Sequence, residues 1–201
     1  MRKLQQLSTQ FSQAGFTIVE SLVAIVVVSI LMAAISPVIT LSVATRVQAR
    51  RVELASQAAK AYIDGINSGA IAPPTTTVTR ETNQYFLDSA PVPSALADLY
   101  CVNLDDTPGC SSNSAQDLAI QAFRSQFSAD ADDAQKGYRL GLRVYRADAF
   151  SDGSALNKGA RQATFTGGLG DIKTPLVEMT TEIATQETQL TDLCDRFGGC
   201  Q

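Results

Sequence analysis

Residues 21 to 45, "SLVAIVVVSILMAAISPVITLSVAT", carry no formal charge. A helix of about 20 apolar residues crosses the roughly 30 Å hydrocarbon core of a bilayer, so this run reads as a membrane anchor. A secretory signal peptide is the competing reading, because "SVA" ending at Ala44 offers small residues suited to cleavage. Signal peptides have apolar cores of about 7 to 15 residues, and this run is longer. Basic residues do not orient the anchor, since Arg2 and Lys3 precede it while Arg46, Arg50 and Arg51 follow.

Composition narrows the function. The chain has 201 residues, with 16 basic against 20 acidic side chains and a net charge of −4. Binding to phosphate backbones needs clustered Lys and Arg, and Arg50-Arg51 beside an apolar helix is a poor nucleic-acid surface. There is no histidine. That removes the commonest general base, the Ser-His and Cys-His pairs and most mixed-ligand zinc sites. A non-enzymatic protein without cofactor or metal is the expectation.

The four cysteines form two close pairs, Cys101 with Cys110 and Cys194 with Cys200, all far beyond the anchor. An even number on the exported side of a membrane suits disulfides in an oxidising compartment, with reduced thiols as the other reading. Zinc sites want tighter Cys spacings. Of the three possible connectivities, the one that joins the two local pairs, Cys101–Cys110 and Cys194–Cys200, closes the shortest loops.

The junction upstream of the anchor, "QAG" followed by "FTIVES", resembles the N-terminus of type IV prepilins and pseudopilins. These have a short basic leader ending in glycine, then an apolar residue, then glutamate at the fifth mature position; Gly15, Phe16 and Glu20 occur in that order. The resemblance covers about the first 50 residues. It implies cleavage after Gly15 by a prepilin peptidase on the cytoplasmic face, N-methylation of Phe16, and a C-terminal domain outside the cytoplasmic (inner) membrane. Pro37 falls where family members commonly carry a helix-loosening proline. The resemblance also implies assembly with other pilin-like subunits through type IV pilus or type II secretion-like machinery, in which Glu20 attracts the N-terminal amine of a neighbour. A carboxylate at the edge of an apolar span usually has such a partner. Farther along, "RVYRADAF" and "PLVEMTTEI" resemble cyanobacterial pseudopilins associated with hormogonium polysaccharide secretion.

Beyond the anchor, Leu54, Ala55, Ala58, Ala59, Tyr62, Ile63 and Ile66 repeat at helical spacing, opposite Arg50, Glu53, Gln57, Lys60 and Asp64. One continuous helix from Phe16 to Ile66 is expected, with Asn67, Ser68 and Gly69 as stop signals. "TNQYFLD" reads as a short strand, and "SAQDLAIQAFRSQF" as an amphipathic helix with Ser114 as N-cap and Asp117 at the capping-box position. "YRLGLRVYRADAF" alternates Tyr138, Leu140, Leu142 and Val144 against Arg139, Gly141 and Arg143, the pattern of a strand with one buried face. "ATFT" and "LVEMTTEI" supply two more strands, the latter burying Val177, Met179, Thr181 and Ile183.

Three patterns invite a chemical reading and each falls short. "DAFSDGSALNKG" (148–159) has Phe150 and Gly159 where a calcium loop needs ligands, and reads as a hairpin loop. "DADD" (130–133) reads as a solvated loop. "GGLG" (167–170) lacks the lysine of a phosphate loop.

The expected fold class is α+β: a long N-terminal helix, membrane-spanning in its first half, packed on a small antiparallel sheet, as in pilins. The expected organisation is a cleaved leader (1–15), a transmembrane half-helix (16–44), an amphipathic half-helix (45–69) and an extracytoplasmic domain (70–201). The expected function is a structural subunit of a pilus or pseudopilus in contact with membrane lipid. The alternative is a membrane-tethered binding domain that does not polymerise.

Overall fold

The computed structural model describes residues 17–79, 86–125, 134–159, 162 and 170–196. The chain divides into two units, Met1–Val43 and Ala44–Gln201.

One helix, α1, runs from Ile18 to Asn67 and is unbroken at Pro37. It ends as its sequence predicts. Gly69 takes φ 77°, a left-handed conformation that glycine adopts without steric penalty, and its N–H reaches the Ile66 carbonyl at 3.0 Å. In the second half of α1 the expected apolar stripe is the buried one: Ala55, Ala58, Ala59, Tyr62 and Ile66 are buried, and Leu54 and Ile63 partly so. Three alanines on this face let the helix approach the sheet closely, while Tyr62 and Ile66 supply the bulk.

Among the described residues the sheet has five strands: β1 (Thr77–Val78), β2 (Tyr100–Val102), β3 (Leu118–Ser125), β4 (Tyr138–Arg146) and β5 (Val177–Ile183). β3, β4 and β5 form an antiparallel meander. β2 adds antiparallel to the first residues of β3, and β1 adds parallel to its last two. The sheet is therefore mixed rather than wholly antiparallel. The helix-facing side carries Leu118, Ile120, Tyr138, Leu140, Leu142, Val144, Val177 and Ile183, which form one cluster with α1. Met179 is only partly buried against that cluster, and Thr181 is half-buried.

Three sequence expectations need correction. The segment read as an amphipathic helix is strand β3. The predicted cap interaction is present, with Ser114 Oγ accepting the Asp117 N–H at 3.2 Å, but it closes a turn that feeds a strand. The described part of "TNQYFLD" is a short helix, α2 (Phe86–Ser89), not a strand. Finally, β4 is buried on both faces: Gly141, Arg143 and Tyr145 lie under cover as fully as Leu140 and Leu142.

Over Phe123 and Arg143 that second face is covered by α2 and the irregular residues that follow it to Pro91, and Tyr145 packs with Ala149 and Leu156. Phe86, Leu87 and Ala90 pack with Phe123. Arg143, wholly buried, clips the segment to the sheet. Its guanidinium donates to the Ala90 and Pro91 carbonyls at 3.3 Å, to Gln121 Oε1 at 3.0 Å, to the Leu87 carbonyl, and to Glu178 Oε1 at 3.1 Å. Charge-assisted hydrogen bonds of this kind offset the desolvation of a buried cation.

The Cys101–Cys110 disulfide forms as expected and closes the loop between β2 and β3. Asp117, wholly buried at the foot of that loop, accepts the Leu104 N–H at 3.1 Å and the Ser111 N–H at 3.2 Å. Cys194, in the short helix α3 (Leu190–Arg196), is also disulfide-bonded. Cys200, "DADD", "ATFT" and all but the last residue of "GGLG" lie outside the described residues.

Candidate functional site

The first turn of α1 is built by "TIVE". Thr17 precedes the helix, its hydroxyl accepts the Glu20 N–H at 3.3 Å, and its carbonyl accepts the Ser21 N–H at 3.1 Å. Thr17 is thus the N-cap and Glu20 the third helical residue, the spacing of a capping box. A carboxylate here faces the partial positive charge of the helix N-terminus. The sequence reading missed Thr17, although Thr-x-x-Glu ahead of an apolar run is a legible start signal. Gly15 and Phe16, the expected cleavage and methylation positions, lie outside the described residues.

From Ile18 to Val43 the helix surface is largely apolar apart from Glu20, and no described residue of its unit covers it. Ile18 is 85% exposed, Ile25 67%, Ile30 63% and Val38 65%, values far above those of a core helix. α1 is long and apolar enough to cross a membrane, and its most apolar window is 0% buried. Three of its hydroxyls are satisfied by its own backbone: Ser21 Oγ donates to the Ile18 carbonyl at 2.8 Å, Ser29 Oγ to Ile25 at 2.7 Å and Thr40 Oγ1 to Pro37 at 2.9 Å. In hydrocarbon, where no water is on offer, such internal pairing makes Ser and Thr tolerable. Pro37 brings no N–H, so one backbone carbonyl of the preceding turn loses its usual donor.

The carboxylates of the loop once compared with a calcium site are held by cations of the protein itself, Asp148 by Arg146 and Asp152 by Lys173. Among the described residues no group of three or more metal-ligating side chains converges.

An exposed apolar helix that continues as the backing helix of a small sheet defines a membrane-anchored α+β protein of pilin-like layout. Residues 10–36 match the model of the prokaryotic N-terminal methylation motif, and this match supports membership of the type IV pilin-like, or pseudopilin, family. No curated protein and no solved structure matches the chain.

Proposed function

We propose that the protein is a structural subunit of a type IV pilus or a secretion pseudopilus. Prepilin peptidase cuts after Gly15, Phe16 becomes the methylated N-terminus, and α1 holds the protein in the cytoplasmic membrane with its sheet domain outside. Subunits then pack helix against helix, without any chemistry performed by the chain.

One observation carries the reading: within the span matched to the methylation motif, α1 begins with a single carboxylate in its first turn and runs on to Val43 as a largely apolar surface that no described residue of its unit covers. A lipid-facing anchor needs only apolarity. The carboxylate at Glu20 needs a counter-charge, and the Phe16 ammonium of a neighbouring subunit is a suitable one. Pro37 is proposed to loosen the helix within the packed bundle, and Cys194 to pair with Cys200.

The test is the mass of the N-terminal peptide from membrane-extracted protein, combined with crosslinking between subunits in intact cells. A mature N-terminus at methylated Phe16 together with crosslinked oligomers supports the reading. Processing without oligomers would mark a tether that does not polymerise, and a mature N-terminus at Thr45 would mark a signal peptide.

A further inference from the structure

The globular unit contains a cleft of about 540 Å³ between the start of the second half of α1 and the turn into β3. Four arginines line it, Arg46, Arg50, Arg51 and Arg146, and among the described residues no acidic side chain does. In a chain of net charge −4 this concentration of cations stands out. The rest of the wall is largely apolar, from Val47 and Leu54 on the helix to Leu104 and Leu118 opposite.

Two of the cations are already engaged. Arg146 forks onto Asp148, and Arg50 pairs with Glu53 at 2.9 Å. The second pair is more than half exposed on both sides, and such pairs contribute little and exchange readily. Arg46 and Arg51 make no ion pair among the described residues. Arg51 Nη1 is shut off from solvent with no acceptor among the described residues. Burial, and then the Arg146 guanidinium nearby, push the Arg51 pKa below its ordinary value, and Asp148, already held by Arg146, offsets this only in part. A buried donor left unmade is costly, so the cleft is suited to an anion with several acceptor oxygens.

The apolar wall decides which anion. A free phosphate would satisfy the arginines and leave Val47, Leu54, Leu104 and Leu118 wet, whereas an amphiphile satisfies both. Arg46 is the first charged residue after the uncharged run 21–45, so the cleft opens within about one helical turn of that run's end. We propose that this cleft seats the phosphate of an anionic phospholipid, with Arg46 and Arg51 donating to its oxygens and the upper part of one acyl chain lying on the apolar wall. The proposal rests on reading the preceding run as a membrane span.

The test uses the full chain extracted in detergent micelles and exchanged against phosphatidylglycerol or phosphatidylcholine, with retained lipid counted by native mass spectrometry. Membrane insertion of each variant is scored separately by resistance to carbonate extraction, so failure of the anchor reading is seen independently. One phosphatidylglycerol per chain should be retained in preference to phosphatidylcholine. Arg46→Gln with Arg51→Gln should weaken retention about tenfold or more, the scale of losing charge-assisted hydrogen bonds. Gln116→Glu, which adds an anion to an exposed position of the lining, should do likewise without touching the core. Lys60→Gln removes a cation elsewhere on the helix and should change retention by no more than about twofold. Equal retention of the two lipids, or undiminished retention by the double arginine variant, overturns the proposal. So does displacement of phosphatidylglycerol by an equal concentration of inorganic phosphate. Loss of subunit crosslinks in the double variant with lipid selectivity unchanged also overturns it, and would assign the cleft to a second copy of the chain.

Discussion

Phe123 occupies the space that a side chain on Gly141 would need: a Cβ built there would lie 2.4 Å from the ring's Cε2. The two residues are register partners on β3 and β4, beneath the segment that covers the outer face of the sheet. Phe123 is wholly buried, so its ring has little room to retreat. Gly141→Ala should therefore destabilise the domain by about 1 to 3 kcal/mol, the usual cost of overpacking, measured as a lowered urea midpoint with unchanged slope. Phe123→Leu combined with Gly141→Ala should recover part of the loss.

Arg143 predicts a different failure. Arg143→Ala would leave Glu178, whose side chain is only 7% exposed, without its cation, and would strip donors from the carbonyls of the covering segment. Breaking a buried pair from one side costs about 3 to 5 kcal/mol. Hydrogen exchange should rise first around residues 86–92, before the α1–sheet core opens. Arg143→Met with Glu178→Gln should cost clearly less, because no buried charge is stranded.

These two residues also show why part of the fold was legible in the sequence and part was not. The strip Ala55, Ala58, Ala59, Tyr62 and Ile66 follows helical period and faces one partner, so periodicity alone places it. The alternation of Tyr138, Leu140, Leu142 and Val144 likewise identifies β4 and its helix-facing side. Alternation then suggests that Arg139, Gly141 and Arg143 face water, and for Arg143 this fails because a distant segment without a pattern of its own lies on top. The same second cover explains β3: apolar residues on both faces of "LAIQAF" erase the period-two signal, and a genuine Ser114–Asp117 hydrogen bond imitates a helix start. At the candidate site, composition and motif located Glu20 and the apolar run, and only the geometry brought out Thr17 as the cap.

The cysteines should be oxidised in the mature protein. Alkylation of non-reduced protein should find no free thiol, with peptide masses joining Cys101 to Cys110 and Cys194 to Cys200. Replacing Cys101 and Cys110 by serine should cost somewhat less than the roughly 3 kcal/mol expected for a 15-residue loop, read as a lowered Tm.

Glu20→Ala should separate anchoring from assembly. The helix-start contribution of the carboxylate is about 0.3 to 1 kcal/mol, too little to unfold so long a helix, and removal of a charge favours insertion. The variant should be carbonate-resistant and cut after Gly15, yet absent from crosslinked oligomers. Glu20→Asp, one methylene shorter, should assemble partially. Wild-type oligomers from Glu20→Ala would show that the charge pair is dispensable.

The buried carboxylate of Asp117 grips the backbone at Leu104 and Ser111, just inside and just outside the Cys101–Cys110 loop, using no sulfur. It acts as a jig on the backbone either side of Cys110, through hydrogen bonds that do not involve the sulfurs. On the proposed reading, in which the domain meets an oxidant only outside the membrane, closing this bond is a local finishing step on a loop that the carboxylate already holds.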